Sequence, residues 1–216
     1  MDFAGALSPD NLRFILEGFY VTLKVAFISI VLSFVLGCLV GTIRYAKIPI
    51  LAPVLGVIVE ILRNLPLLLI IFFTRFALPD IGIKLDVVTS AIVALTLFEG
   101  AIISEIVRSG LNSVNKGQIE ASRSSGLGYT QTLWHIVMPQ GLRRMVPPLV
   151  SQFIALLKDT SLAVVISLPE LMNHSKIVIA QSYDFVIPVL MVVALLYFSV
   201  NYALSLIARR LEAKFV

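Results

Sequence analysis

Long apolar runs broken by short polar punctuation set the pattern of this chain. Val25–Ile43 and Val186–Ala208 contain no charged residue, and each reaches the roughly 20 residues a helix needs to cross about 30 Å of hydrocarbon. Ile48–Leu78, Val87–Val107 and Met145–Leu168 are also strongly apolar, with a few charges inside each. The runs are continuous, without two-residue alternation, and lipid offers no partner to open backbone, so they predict helices and not barrel strands. The expectation is an all-α integral membrane protein, one domain over residues 1–216, with spans near 21–44, 50–78, 87–107, 145–168 and 186–208.

One stretch departs from this pattern. Ile119–Pro139, IEASRSSGLGYTQTLWHIVMP, carries Glu120, Arg123, serines and glycines, and lies in the connection 109–143 between the third and fourth spans. Asn115 followed three residues later by Gln118 resembles a capping box, and Gly126 is placed to stop the helix they begin. Thr130 is the expected cap of a second short helix, QTLWHIVM, ended by Pro139. Pattern alone leaves two readings open. In one the loop is a shaped projection with a glycine hinge; in the other it lies on the membrane surface, anchored by Leu133, Trp134 and Ile136.

Composition agrees with the spans. The chain of 216 residues is 58% hydrophobic and 14% charged, against about 25% charged in soluble domains. Basic residues then orient it. Arg44, Lys47, Arg108, Lys116, Arg123, Arg143, Arg144, Arg209, Arg210 and Lys214 fall on one side, and only Arg13, Arg75, Lys84 and Lys176 on the other. The positive-inside bias places the C-terminus and the 109–143 loop in the cytoplasm and the N-terminus outside. The net charge of +4 is thereby explained without nucleic acid. The opening MDFAGALSPD lacks Lys and Arg, so no cleavable signal is expected and the first helix stays. Cys38, the single cysteine, excludes intrachain disulfides.

Polar residues at membrane depth mark structure or pathway. Glu60 and Arg63 stand three apart on the second span and are expected to pair. Pro66 is expected to kink that span and to free carbonyls near Leu62 and Arg63. Lys158, Asp159, Thr160 and Ser161 form the most polar run within a span, and Gln152 and Asp159 share a face. A zwitterionic amino acid needs a carboxylate for its ammonium and donors for its carboxylate. Asp159, Thr160, Ser161, Asn64 and Glu99 (three after Thr96) are candidate pathway residues, while Glu60, Arg63, Pro66 and Lys158 are candidates for structure or gating. Glu105 and Arg108 are expected to pair near the loop end of the third span. Ser33, Gly37 and Gly41 form a small-residue stripe suited to close helix packing. His135 reads as a surface residue and His174 as an isolated one; the sequence offers no zinc-like ligand spacing.

The loop itself resembles a known signature. EASRSSGLGYTQTLWHIVMP is similar to the Glu-Ala-Ala…Gly…Ile-x-Leu-Pro loop of integral-membrane permeases of bacterial ABC importers: Glu120, Ala121, Gly126, Ile136 and Pro139 match, Ser122 replaces Ala, and Met138 replaces Leu. GFYVTLKVAF, VIVEILRNLPLL, ISEIVRSGL and LLKDTSLAVVIS extend the likeness to the polar amino-acid branch. The resemblance implies a coupling helix docked on a separate ATPase subunit in two copies, which binds the ATP and Mg. It also implies an extracytoplasmic amino-acid-binding protein, a permease homodimer or heterodimer, and a place in the bacterial cell membrane. Ile119, Glu120, Ala121, Ser122, Gly126, Leu127 and Gly128 would form the ATPase contact. The chain has no G-x-x-x-x-G-K-[ST] loop, so it is expected to hold no ATPase site. The expected function is alternating-access import of a polar amino acid such as glutamate, glutamine, aspartate or cystine. A secondary transporter, which often shows inverted repeats, and an intramembrane enzyme are the rival classes; neither's signature is present.

Overall fold

The computed structural model describes residues 1–215, with side chains through Arg210; the Lys214 side chain, counted above on the basic side, lies outside the described residues. After a short α1 (Phe3–Ala6), α2 runs from Pro9 to Tyr45. It starts well before residue 21 because Ser8 caps it, accepting from the Asn11 amide at 3.4 Å, and Pro9 occupies the first turn, where no N–H is needed. The charges that hid this extension, Arg13 and Glu17, pair across one turn at 3.2 Å on an exposed face.

The second span is broken. α3 (Leu51–Asn64) meets the helical stretch Leu67–Ile81, which opens with α4 (Leu67–Phe72), at a bend of 105°, much sharper than a kink. Pro66 removes a donor and its ring drives Leu65 into extended backbone, φ −89° and ψ 145°. At 1.5 Å per residue α3 is about 21 Å long, too short to cross alone.

α5 (Val87–Asn112) begins at Asp86, whose carboxylate accepts from the Thr89 amide at 2.9 Å and the Thr89 hydroxyl at 2.6 Å. It packs most extensively along α2. Ser33, Gly37 and Gly41 are all buried; Gly37 and Gly41 lie in that seam, where a Cβ on Gly41 would stand 2.6 Å from the Ser104 carbonyl oxygen.

α6 (Lys116–Ser124) follows, then α7 (Tyr129–Thr132), a π turn over Leu133–Val137, and α8 (Met138–Asp159). These last three and the 3-10 turn Thr160–Ile166 form one apolar helical segment, Tyr129–Ile166. The expected separate short helix ended by Pro139 is therefore corrected: the helix continues through Pro139, Pro147 and Pro148. The π turn widens the coil just ahead of Pro139, where an α-turn would drive the ring against the preceding carbonyl. α9 (Leu171–Ile179) and α10 (Val186–Phe215) complete the chain.

Val25, Leu67, Ile71, Ala91, Leu95 and Ala163 bury a core between α2, α4, α5 and the 160–166 turn. Large apolar side chains such as Phe27 on α2 and Leu195 and Phe198 on α10 stay exposed, the surface of a bundle whose solvent is lipid. Among the described residues four helices are long and apolar enough to cross a membrane, and the bent pair Leu51–Asn64 and Leu67–Ile81 makes five if it counts as one span.

Candidate functional site

Two regions carry the polar chemistry: the α6 projection and a buried cluster where α5 meets α8. In α6 both ends are sealed locally. The Asn115 side chain accepts from the Gly117 amide at 2.8 Å. Gln118 does not close a box with it; it takes up Gln140 of α8 at 2.5 Å instead. Gly126 adopts φ +89°, and the Leu127 amide reaches the Ser122 carbonyl at 3.2 Å while the Gly126 amide reaches Arg123 at 3.0 Å. That is a Schellman stop, which a side chain at residue 126 would strain.

Gly128, not Thr130, caps α7, and its amide donates to the Gln131 side chain at 2.8 Å. The seven loop residues read as the ATPase contact divide into two faces. Ile119 is half-buried against the cluster of Leu111, Val114 and Val137, and Ser122 is buried with its hydroxyl 3.1 Å from Thr132. Glu120, Ala121, Gly126 and Gly128 are exposed, with Leu127 half-buried. Ile119 and Ser122 thus fix the helix to the bundle. A groove of about 400 Å³ opens beside them, lined by Gln118, Ala121, Ser125, Leu127 and Ile136.

In the second region Glu99 is fully buried on α5, with Oε2 accepting from Gln152 Nε2 of α8 at 2.7 Å. The Asp159 carboxyl lies within interaction range of the same Glu99. Glu99 Oε1 and the Thr96 hydroxyl are buried without a hydrogen-bond partner among the described residues. Two carboxyls beside a buried hydroxyl call for a cationic or hydrogen-bond-donating group, such as an ammonium or a carboxamide. Sequence placed Thr96 with Glu99 and Gln152 with Asp159 on two separate helix faces; the structure joins the two faces through the Glu99–Gln152 bond between α5 and α8.

The hydroxyl and amide groups of the other candidates each make one local hydrogen bond. Thr160 is fully buried with its hydroxyl on the Leu157 carbonyl at 2.7 Å, and Ser161 donates to the Lys158 carbonyl at 2.7 Å. Asn64, exposed, donates to the Glu60 carbonyl at 2.8 Å. Lys158 is exposed where α8 tightens into the 3-10 turn.

Two expectations need correction. Glu60 and Arg63 do not pair: the Arg63 guanidinium stands 4.0 Å from Glu105. Glu105 also binds Arg44 at 3.0 Å and Arg108, as expected for the last. His174 is not isolated; it stacks on Phe14 at 3.9 Å and its Nδ1 lies 2.6 Å from the Phe14 carbonyl. Helix spacing shows which neighbours share a face, not what a distant helix brings to it.

A bundle of membrane-length helices with a short, doubly capped polar helix projecting from one end is the architecture of a transport permease subunit. The family described as "Binding-protein-dependent transport system inner membrane component" matches residues 33–215, and the chain belongs to it. Its members are multi-pass proteins of the cell membrane, the permease subunits of ABC importers. One relative, a "Probable glutamine ABC transporter permease protein GlnP" of Bacillus subtilis, is 64% identical over 216 residues, covering 99% of both chains. Another, "Glutamine transport system permease protein GlnP" of Escherichia coli, is 34% identical over 93% of this chain and 92% of its own. In fold the chain matches a crystal structure of an amino acid ABC transporter with histidines, with a TM-score of 0.91 over 99% of both chains at 24% identity.

Proposed function

We propose that this amino-acid importer permease carries glutamine, and that α6 is the element through which a separate ATPase drives it. Support for the substrate comes from the relatives named for glutamine, one of them 64% identical from end to end. The Glu99–Gln152–Asp159 cluster fits it: the carboxyls suit an ammonium or carboxamide, and the amide of Gln152 suits either polarity. Asp159 and Gln152, both half-buried, are the members open to access; Asn64 at the Pro66 break and Ser161 are the other contacts in this reading.

The observation that carries the coupling reading is α6 itself, exposed along Glu120, Ala121 and Gly126 yet fixed beneath by Ile119 and Ser122. An element built this way can receive a push without deforming. In the full assembly, α6 and the C-terminus face the cytoplasm and the N-terminus faces outward. Two ATPase copies hold the ATP and Mg, an extracytoplasmic binding protein delivers substrate, and a second permease completes the pathway. This chain performs no chemical step.

The test is ATP hydrolysis by the chain reconstituted in lipid with its co-purifying ATPase and binding protein, against a panel of amino acids. Glutamine is expected to raise hydrolysis several-fold over other amino acids, and a stably assembled Gly126→Trp variant to lose that response. A response to a different amino acid overturns the substrate. Normal uptake by the Gly126→Trp protein overturns the coupling role, and flux driven by an ion gradient with no ATPase bound overturns both.

A further inference from the structure

Beyond the transport pathway, a cleft of about 380 Å³ opens between α3, α5 and α8 at the α6 end of the bundle. Its wall includes Arg63, Glu105, Ser109, Ser113, Arg144 and Pro148. Three guanidinium groups, of Arg44, Arg63 and Arg108, converge on the Glu105 carboxylate, and a fourth, of Arg144, lines the same cleft. Glu105 Oε2 accepts from Arg44 Nη1 at 3.0 Å and from Arg108 Nε at 3.2 Å, and Oε1 accepts from Arg108 Nη2. Arg44 also reaches the Ser104 hydroxyl at 3.4 Å.

Arg63 arrives last, 4.0 Å from a carboxylate whose oxygens are already taken, and makes no hydrogen bond among the described residues. Arg144 commits only Nη1, to the Ser113 carbonyl and hydroxyl. The cleft therefore holds positive charge in excess of its one carboxylate, with planar N–H donors of Arg63 and Arg144 uncommitted. Glu105 and Arg44 are well shielded, their side chains 23% and 14% exposed, whereas Arg63 and Arg144 are exposed and open to a ligand. An arginine fork is shaped for two oxygens of one anionic group, and the cleft's size is that of a small-molecule site.

We infer that this cleft is a binding site for a small oxyanion, a carboxylate or phosphate group, gripped by Arg63 and Arg144 with Glu105 as a built-in competitor. Such a group has two sources: the headgroup of an anionic lipid, or a free anion in solution. Bound there, the anion takes the place at Arg63 that Glu105 fills only partly, and so ties α3 to α8 across the cleft.

The experiment is calorimetric titration of the full chain, in nanodiscs of phosphatidylcholine, with inorganic phosphate. Wild type is expected to bind saturably, and the Arg63→Gln/Arg144→Gln protein at least ~10-fold more weakly, since both charged forks are lost. The Glu105→Gln protein is expected to bind several-fold more tightly, because Arg44 and Arg108 are released; a damaged fold does not produce a gain. Repeating wild type in phosphatidylglycerol discs separates the sources. Phosphate binding that disappears there assigns the site to a lipid headgroup, and binding that persists assigns it to a free anion. No saturable binding by wild type, equal affinity in the double variant, or no gain in Glu105→Gln overturns the site.

Discussion

Asp86 shows how much of a helix start one side chain can hold. It caps α5 through the Thr89 hydroxyl and amide, and those two bonds, the hydroxyl first, hold its carboxyl below the ordinary aspartate range. Because the folded value is depressed, the stabilisation is fully present above the unfolded value near ~3.9 and fades as pH falls through the lower folded value. Thermal unfolding of wild type and Asp86→Ala, compared from acidic to neutral pH, is expected to show a constant advantage for wild type above about pH 5 and a shrinking one below about pH 4. An advantage that stays flat into acid removes the charged cap from the account. Caps of this kind are legible because donor and acceptor lie two or three residues apart, as for Gly117 with Asn115 and Gly126 with Arg123. The Arg63–Glu105 and His174–Phe14 contacts were not, since their partners come from other helices. Local spacing offered Arg63 a neighbour in Glu60; Glu105, already gathering Arg44 and Arg108, drew it across the cleft.

At the scale of elements, the glycines of α2 and α3 separate packing from propensity. Gly41 lies where α2 touches α5, and a Cβ there would meet the Ser104 carbonyl at 2.6 Å and Val107 at 2.8 Å. Gly56 on α3 has only the Arg44 side chain near, at 3.9 Å. Gly41→Leu is expected to destabilise by about 1–3 kcal/mol through overpacking. Gly56→Ala is expected to be neutral or to stabilise by up to ~1 kcal/mol through helix propensity. Thermal shift of the purified variants checks both, and equal melting temperatures would contradict the seam. Prolines were harder to read than glycines. Pro66 breaks its span through 105°, yet Pro139, Pro147 and Pro148 sit within a helix that continues. The difference lies in what the surrounding backbone can do: at Pro66 extended Leu65 turns the chain sharply, whereas ahead of Pro139 the π turn accommodates the ring. In lipid a broken helix leaves carbonyls without partners, which favours continuation wherever a turn can widen.

Across the whole molecule, the continuity of the fourth span decides what α6 can do. Had Pro139 ended a separate helix, a push on the loop would have been absorbed at a flexible joint. Instead Tyr129–Ile166 runs as one helical segment, joined to α6 by the Ser122–Thr132 and Gln118–Gln140 contacts and carrying Gln152 and Asp159 further along its length. A segment of this kind moves its two ends together, so displacement of α6 by the proposed ATPase reaches the Glu99 cluster without an intermediate loop. The claim is testable by softening the segment between those points. Leu142 and Arg143 are exposed on α8, between the loop contacts and Gln152. Replacing both with glycine weakens the helix by about 2 kcal/mol in total, while replacing both with alanine preserves it. In reconstituted vesicles the alanine pair is expected to import glutamine at a rate near wild type. The glycine pair is expected to retain basal ATP hydrolysis and to lose most uptake per ATP consumed. Equal uptake per ATP in both variants would mean that the drive reaches the cluster by another route, and α5, which contacts α8 along the same seam, becomes the element to break next.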